Sequence, residues 1–387
     1  IEWVGNTVYT TRQLDRMLDI KSGDIYNQEY LEERLYGAEN AVGNLYYDQG
    51  YLFFQAIPQE MNIDGDSIDV RVVITEGPQA NINSVQIYGN TRSNEHTIRR
   101  EIRTLPGQLF SRTDLIRSVR ELASMGNFDP EQLSPVPVPN YNDGSVDIQY
   151  NLVERPSDMF ELSGGWGMWG FMAQVGISFN NFSMQNILKP KSWDPLPMGD
   201  AQKFSISART QGKRYQLYSI SFVEPWLGGT KPNSFSTSVY YSRMTDAYTF
   251  KDKPTATFNV LGVSLGFGRK LKWPDDFFVL SHVVGFDRYL MDDYQYYIKV
   301  GNGAYNIVSL TNTLSRNSTD NPLYTRKGSD LSLSIKATPP YSFFFNSWDA
   351  GSDENMYKWA ELYKIDFKAA WYSEIVRNLV ISARFQY

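Results

Sequence analysis

The part of this sequence that comes closest to a chemical motif is a hexapeptide at residues 165–170, with glycines at its first, third and sixth positions. That spacing matches the G-x-G-x-x-G turn, whose glycines let the backbone approach the pyrophosphate of a dinucleotide. The turn serves this purpose only where it follows a strand and opens a helix within a βαβ unit. Here an alternating, strand-like segment follows it, so the sequence predicts no nucleotide site.

Side chains that could act as nucleophiles, bases or metal ligands are scarce or unsuitably spaced. The 387 residues include no cysteine, and His96 and His282 have no carboxylate at metal-ligand spacing. Asp292 with Asp293, and the acidic residues within 349–354, could bind a cation in loops, but solvated loop carboxylates are the stronger interpretation. We therefore predict a protein that is not an enzyme, with no catalytic residues, no cofactor and no metal.

The elements that carry these residues share one pattern from residue 157 to residue 387: short segments of alternating apolar and polar residues, separated by polar turns. Period-two alternation gives each strand an apolar and a polar face. In one segment, Val175 and Ile177 are predicted to face lipid, and Gln174 and Ser178 the lumen. No helical segment is available to cover the apolar faces, which favours an antiparallel transmembrane β-barrel. The alternative is a soluble sandwich, which needs a second sheet over each apolar face.

Composition fits a membrane barrel and disfavours other classes. No run of about 18 apolar residues is present, whereas barrel strands need only about 9–11 half-polar residues. Aromatic residues make up 15% of the chain, and Trp226, Tyr240, Tyr241 and Trp371 are predicted to anchor at the membrane interface. The formal net charge of −6 argues against nucleic acid as a partner.

Residues 1–155 contain an internal repeat. Gly5-Asn6-Thr7 returns as Gly89-Asn90-Thr91, and three further segments return in the same order. Each copy is predicted to fold as strand, helix, helix, strand, strand, an α+β domain of β-α-α-β-β order. We therefore expect one domain at residues 1–78, a second at 79–155, and the barrel region at 156–387.

The two copies differ in the first strand of their final hairpin. In the second copy, Pro135, Pro137 and Pro139 occupy alternate positions and remove N–H donors from one edge, which predicts a protected edge strand. The corresponding strand of the first copy, predicted at residues 51–57, has only Pro58 at its end. If either domain pairs with an extended peptide, the sequence favours the first. The alternative is that this strand simply packs on its own domain. The residues expected to pair are Leu52, Phe53, Phe54, Gln55, Ala56 and Ile57.

The barrel region contains about eleven strand candidates. Short turns such as residues 212–214 are predicted to be periplasmic, and long loops such as residues 183–199 and 344–360 to lie outside the cell. Single-chain bacterial barrels use even strand numbers, and an open sheet would leave unpaired edges in lipid. We therefore expect a fragment whose last strands, and whose natural N-terminus, lie beyond this sequence. The candidates begin near Met159, Met172, Asp200, Tyr215, Ser234, Thr257, Phe277, Ala304, Ser329, Glu361 and Asn378.

Over essentially its whole length, the chain resembles the BamA family of outer-membrane barrel assembly insertases. The two copies resemble the last two POTRA domains before the barrel, on the Gly-Asn-Thr turns and on Glu154-Arg155. Residues 163–167, 222–226, 316–318 and 324–329 resemble segments of the family's barrel. No single match is specific, but their order and spacing together are.

The resemblance implies a barrel of sixteen strands, of which about eleven are present here. The family's signature loop follows the eleventh strand and is absent here, as are the remaining strands and the closing seam. A substrate strand is expected to pair with the edge of the first barrel strand, where glycines weaken packing and register. A tight bend at the barrel rim is the alternative role for these glycines. The expected pairing residues are Met159, Phe160, Glu161, Leu162, Ser163, Gly164, Gly165, Trp166 and Gly167.

The resemblance also implies a place and partners. The protein is expected in the outer membrane of a Gram-negative-type bacterium, with its POTRA domains in the periplasm and Glu154, Arg155 and Pro156 as the hinge. Expected partners are unfolded outer-membrane proteins, accessory lipoproteins, subunits docked on outer loops, and the bilayer. The alternative function is a related POTRA-barrel transporter that exports a partner protein through its lumen. A plain porin or receptor is disfavoured by the repeat.

Overall fold

The chain divides into two compact units, Ile1–Pro156 and Ser157–Tyr387. No helix of the described residues is long and apolar enough to cross a membrane. The computed structural model describes residues 1–38, 40–156, 158–167, 170–193, 196–247, 252–294, 302–320, 324–344, 359, 361–376 and 379–387.

The first repeat copy is a three-stranded sheet covered by helices. Its central strand β3 pairs in parallel with β1 and antiparallel with β2. Leu14, Val42 and Tyr46 from the helices are fully buried against Val72 of the sheet. The elements are β1 (Glu2–Val4), α1 (Thr11–Leu18), α2 (Gln28–Glu32), a π-helical turn (Glu33–Gly37), α3 (Val42–Tyr47), β2 (Gln55–Asp64) and β3 (Ser67–Thr75).

The second copy repeats this topology, with strand order β4-β6-β5. Helix α5 begins after the predicted N-cap Ser111, whose Oγ accepts a hydrogen bond from the Asp114 N–H at 3.2 Å. The predicted β-α-α-β-β order is confirmed in this copy, whereas the second helical region of the first copy is broken by the π-helical turn. The elements are β4 (Ile82–Tyr88), α4 (Glu95–Arg99), α5 (Arg112–Ser124), β5 (Ser134–Asn140) and β6 (Ser145–Asn151).

The repeated Gly-Asn-Thr segments are turns that require glycine. Gly5 and Gly89 have φ of 92° and 88°, in the left-handed region that side chains disfavour. A Cβ at Gly89 would lie 1.9 Å from the Leu152 carbonyl oxygen, and one at Gly5 would lie 2.3 Å from that of Ile74. In each copy the last strand therefore passes too close to the turn for any other residue.

A carboxylate at the end of each copy closes the same turn. The Glu154 carboxylate accepts hydrogen bonds from the backbone N–H groups of Thr91, Arg92 and Ser93 at 3.0, 2.7 and 2.7 Å. Glu76 accepts from the N–H groups of Thr7 and Val8 in the first copy. The glutamate lies 69 residues after the threonine that it binds in the first copy and 63 residues after it in the second. Both copies therefore close the Gly-Asn-Thr turn in the same way.

The two copies share a helix cap, so they form one unit. Asp48, which follows α3 of the first copy, accepts hydrogen bonds from the Thr113 N–H at 2.8 Å and the Thr113 hydroxyl at 2.7 Å, in the first turn of α5. The Arg112 guanidinium donates to the Tyr36 carbonyl oxygen at 3.1 Å. A carboxylate at a helix N-terminus satisfies free N–H groups and complements the helix dipole.

The second unit is an antiparallel meander of eleven strands among the described residues, in the order β17 to β7. Each strand pairs with its neighbours in sequence, and β7 and β17 are the two edges. The predicted strand number is confirmed. The strands are β7 (Met159–Gly167), β8 (Gly170–Phe182), β9 (Gln202–Gln211), β10 (Tyr215–Glu224), β11 (Asn233–Thr245), β12 (Thr257–Lys270), β13 (Phe278–Asp292), β14 (Gly303–Asn317), β15 (Gly328–Ala337), β16 (Tyr363–Val376) and β17 (Leu379–Gln386).

One face of this sheet, here called the outer face, exposes a band of apolar side chains. Ile206 and Ile220 are opposite each other and 45% and 50% exposed, and Ile177 continues the row. The other, inner face carries hydroxyl pairs, including Ser205 with Ser221 at 2.7 Å. Val175 and Ile177 are exposed on the outer face, as predicted, and the apolar band suits contact with lipid.

One predicted interfacial anchor was wrong. Tyr240 faces inward and donates a hydrogen bond from its hydroxyl to Asp287 at 2.8 Å. Its neighbour Tyr241 is exposed on the outer face, because adjacent strand residues point to opposite faces. Two consecutive tyrosines could not both anchor in the membrane.

The prediction that loop length separates the two ends of the sheet was also wrong. The end at which β7 begins is here called the linker end. Residues 183–201 join β8 to β9 at the linker end, whereas the short turn 212–214 lies at the far end. The side of a loop in a meander is fixed by strand count and not by loop length. Of the predicted loop 344–360, most residues lie outside the described part, as do residues 349–354; α6 (Tyr341–Phe344) precedes them.

Candidate functional site

The first barrel strand, β7, is an edge strand. Within the part of the chain that the structure describes, it pairs only with β8, in unbroken register from Met159 opposite Ser178 to Gly167 opposite Gly170. In an edge strand every second residue turns its N–H and C=O away from the partner strand, where they can pair with another chain. Eight of its nine residues are exposed, and no other strand of the described residues pairs with its free side.

The side chains of β7 continue both faces of the sheet. Phe160 and Leu162, 67% and 70% exposed, lie opposite Ile177 and Val175 on the outer face. Glu161 accepts a hydrogen bond from Gln174 at 2.9 Å on the inner face. A strand added at this edge would therefore meet an apolar row on one face and a polar row on the other.

The glycines of β7 are not required by the backbone conformation seen here. A Cβ at Gly165 would meet nothing within 4 Å, and one at Gly164 would be 3.6 Å or more from its neighbours. The backbone φ of Gly164 and of Gly165 is not positive. Because a Cβ would fit at both positions, what glycine adds there is weaker packing and greater backbone freedom.

The predicted pairing strand of the first copy begins later than expected. Strand β2 starts at Gln55, so Leu52, Phe53 and Phe54 were wrongly assigned to it. Leu52 and Phe53 instead pack against the core of the second copy, and Phe54 is buried in the core of the first. These three residues were predicted to be a strand from their apolar and aromatic side chains, but after the turn at Gly50 they pack in the two domain cores instead.

Strand β2 is an edge strand, yet part of its free side is occupied. The Tyr36 hydroxyl accepts from the Ala56 N–H at 2.5 Å and donates to the Ala56 carbonyl oxygen at 2.9 Å. Two residues on, Pro58 has no N–H. A bulge between Glu60 and Asn62 then interrupts the register. Strand addition at Gln55, Ala56 and Ile57 stays a prediction, but few donors are available there.

Strand β5 of the second copy is also at an edge, next to β6. Pro135, Pro137 and Pro139 lie opposite Tyr150, Ile148 and Val146. The alternating prolines leave their side of the strand without N–H donors, as the sequence predicted for a protected edge.

Two of the three predicted hinge residues are held by the second copy. Glu154 closes the turn at Thr91, and the Arg155 N–H donates to the Asn127 carbonyl oxygen at 3.0 Å. The Arg155 side chain donates to the Gly126 carbonyl oxygen at 3.1 Å. A hinge at this place is therefore expected to turn at Pro156 and beyond, not at Glu154 or Arg155.

Electrostatics strengthens the carboxylate-closed turns. Burial alone would raise the pKa of Glu154, but the hydrogen bonds from Thr91, Ser93 and Arg92 outweigh it and lower that pKa below its ordinary value. The pKa of Glu76 is lowered in the same way, against the effect of burial, by Thr7 and Val8. Both carboxylates are therefore ionised where they accept the N–H groups.

No arrangement for covalent chemistry is present in the described residues. The glycine-rich hexapeptide ends β7 and begins β8, so a strand follows it instead of a helix; Met168 and Trp169 lie outside the described part. In that same part, no three His, Asp or Glu side chains form a cluster that could hold a metal.

Comparison with known proteins places this geometry in a family. An Omp85 superfamily domain matches residues 198–387, and a POTRA model, described as a surface antigen variable number repeat, matches residues 1–77 and 80–155. The chain belongs to the BamA/Omp85 family. It is an outer-membrane barrel protein with periplasmic POTRA domains.

Individual relatives are distant. The outer membrane protein assembly factor BamA of Neisseria meningitidis serogroup B is 27% identical over 170 residues, which cover 44% of this chain and 21% of the relative. The curated relatives are matched over 21% to 29% of their own length.

Two solved structures share the fold at low sequence identity. BamA from Haemophilus ducreyi lacking POTRA domains 1–3 superposes with a TM-score of 0.58 at 16% identity, over 97% of this chain and 68% of that one. CdiB from Escherichia coli superposes with a TM-score of 0.52 at 13% identity, over 100% of this chain and 67% of that one. The likeness to both concerns the fold.

Proposed function

We propose that this protein inserts and folds β-barrel proteins in the outer membrane, by pairing a substrate strand with the free edge of β7. The observation that carries the proposal is that β7, an edge strand of the described eleven-stranded sheet, carries three glycines that no contact within the sheet requires. An incoming strand gains main-chain hydrogen bonds there at once, without covalent chemistry. The substrates would be unfolded outer-membrane proteins.

Two features of β7 support this role. No close contact requires glycine at residues 164 and 165. Glycine there lowers the free-energy cost of distorting the strand or exchanging its partner. Its alternating faces match those of any barrel strand, with apolar residues toward lipid and polar residues inward. Accessory lipoproteins, and subunits docked on the outer loops, would be further partners.

The second candidate is export of one partner protein through the barrel lumen. It is favoured by the superposition on CdiB over the whole chain. The two functions differ in what they require of β7. Transport needs a closed lumen, whereas insertion needs a strand edge that a substrate can reach.

The test uses the protein in liposomes with Ser163→Cys as its only thiol, since the chain has no cysteine. A denatured outer-membrane barrel with one cysteine in its terminal strand is added, and its folding is followed by heat-modifiable gel mobility together with disulfide trapping. We expect faster folding than in empty liposomes and a disulfide at residue 163. A cysteine at Ser264, on the inner face of a strand paired on both sides, is the matched control and should not cross-link. No acceleration and no disulfide, in a folded protein, would favour the transporter.

A further inference from the structure

The loop between β8 and β9, residues 183–201, exposes apolar side chains outside the strands that cross the membrane. We call it the β8–β9 loop. Leu188 is 90% exposed, and Met184, Ile187 and Trp193 are 51%, 41% and 43% exposed. Four large apolar side chains on one loop form a patch of the kind that marks a contact surface.

This loop is held in place by buried polar contacts. Ser183 is fully buried and donates to the Asp200 carboxylate at 2.5 Å, and the Ala201 N–H donates to the Asn181 side-chain oxygen at 3.0 Å. Asn186 donates to the Met198 carbonyl oxygen at 3.0 Å. These contacts fix the two ends of the loop, and the bond from Asn186 to Met198 joins them to each other.

The loop begins by crossing the outer face of the sheet. Gln202 lies two residues before Phe204 and four before the exposed Ile206, so it belongs to the same outer face. Gln202 is nevertheless only 5% exposed, and its side-chain oxygen accepts from the Met184 N–H at 2.7 Å. Its amide also donates to Glu224 at 2.6 Å. The chain that follows Phe182 therefore covers Gln202 on the lipid side of the barrel.

The same conclusion follows from the aromatic residues beside it. Phe182 stacks on Phe204 with ring centroids 5.2 Å apart and contacts Phe222 edge-on at 6.4 Å. Phe204 and Phe222 are opposite each other on the outer face, yet Phe182 is only 8% exposed. The loop thus continues the apolar outer face past the ends of β8 and β9, at the linker end, which is the periplasmic end.

We propose that the β8–β9 loop is a membrane anchor, which inserts Ile187, Leu188 and Trp193 into the headgroup boundary of the periplasmic leaflet. Tryptophan is enriched at this depth because its ring is amphipathic. Lys189 and Lys191, both exposed, can extend their ammonium groups to phospholipid phosphates while their stems lie along apolar surface. The chemistry of the patch, apolar with two cations, matches a phospholipid surface that is already in contact with the adjoining strands.

Lipid contact can be measured directly with a fluorescent reporter. The purified protein carries Leu188→Cys labelled with the environment-sensitive dye NBD and is reconstituted in phospholipid bilayers with or without lipids that bear a quencher at the headgroup. Matched controls carry the dye at Ile25, which is 95% exposed in the first POTRA domain, and at Val263, on the outer face of β12. Heat-modifiable gel mobility shows that each barrel is folded, and no substrate is present.

We expect the dye at residue 188 to emit at shorter wavelength than at residue 25 and to be quenched by the headgroup label more strongly than at residue 263. A dye at 188 that emits as in water, without quenching, would overturn the proposal. A dye that is shielded from water but not quenched by lipid would also overturn it, because the loop would then lie against protein. Replacing Lys189 and Lys191 by Gln should weaken quenching in anionic more than in zwitterionic bilayers; equal quenching in both would exclude a role of the two cations.

Discussion

The β2 and β5 edges of the small POTRA sheets and the β7 edge of the barrel sheet differ in how far they limit pairing with another strand. In the POTRA domains, β5 carries three alternating prolines, and β2 has its Ala56 peptide occupied by Tyr36 and a proline two residues later. In the barrel, β7 has no proline, exposes nearly all its residues and contains three glycines.

Edge strands are places where chains add on to one another, so soluble domains usually block them. The chain blocks the β2 and β5 edges by two different means, whereas β7 carries neither device. The contrast supports the proposal that β7 is the edge at which a substrate strand pairs.

The largest effect should come from proline in β7. Leu162→Pro and Ser163→Pro each remove one N–H, and because adjacent residues alternate, one variant affects the β8 ladder and the other the free edge. Loss of a backbone hydrogen bond and a ring clash together are worth a few kcal/mol, so we expect assisted folding of a substrate barrel to slow about 10- to 100-fold. The measurement is the substrate folding rate by gel mobility.

The control for these variants is Ser163→Ala, which keeps the N–H and should fold substrate at the unaltered rate. Of the two proline variants, only one whose own barrel is folded, as shown by heat-modifiable gel mobility, tests the free edge. If that variant still accelerates substrate folding fully, the barrel edge and the POTRA edges do not differ in function.

The next effect should come from unblocking β2. Tyr36→Phe removes the hydroxyl that satisfies both polar groups of Ala56, at a cost of about 1–3 kcal/mol in local stability. Hydrogen exchange of residues 55–64, measured in the intact protein, should quicken accordingly. Tyr26→Phe is the control, because its hydroxyl bonds only the exposed Glu60. Unchanged exchange at Ala56 would mean that Tyr36 does not protect this edge.

A pH dependence should separate the POTRA domains from the barrel. Glu154 has a lowered pKa in the folded protein, so its contribution to stability is present above the ordinary carboxyl pKa of about 4.3 and is lost as pH falls through the folded value. Exchange of residues 89–93, corrected for the intrinsic pH effect, should therefore rise at acid pH. In Glu154→Gln the protection should already be reduced at neutral pH, by about 1–2 kcal/mol. Identical pH profiles in both proteins would exclude the carboxylate as the cause.

The smallest effect on stability should follow Pro137→Val, which restores one donor to the free side of β5. The change in the free energy of unfolding should stay within about 0.5 kcal/mol, as for most surface substitutions. Self-association in detergent solution, measured by sedimentation, should nevertheless increase. Pro106→Val, in a turn away from the edge, should show no such increase. If both variants remain equally dispersed, the prolines of β5 are not needed to block the edge.

The fold was largely predictable because its signals are local. Alternation in segments such as residues 204–208 and 331–335 needs no knowledge of distant contacts, and each predicted barrel strand starts within two residues of the observed one. The orientation of Val175 and Ile177 toward the outer face follows from the same period. The repeat gave the topology of both POTRA domains for a similar reason, since the Gly-Asn-Thr turn has a single geometry.

The features that sequence reasoning missed depend on contacts between distant residues. Nothing local shows that Leu52 and Phe53 pack on the second domain instead of extending β2. Capping of α5 by Asp48 joins residues 65 apart in sequence and has no motif. The buried Gln202, which indicates on which side the β8–β9 loop lies, would be read from sequence as an ordinary polar strand residue.

The helix cap that Asp48 provides has a consequence for engineering. Because Thr113 in the first turn of α5 donates to a carboxylate of the other domain, exchanging one POTRA domain alone would leave either the Thr113 N–H without this acceptor or Asp48 without its donors. A chimera made by recombination should therefore inherit Asp48, Arg112 and Thr113 together. In this part of the chain, the unit that can be exchanged intact between relatives is the pair of domains.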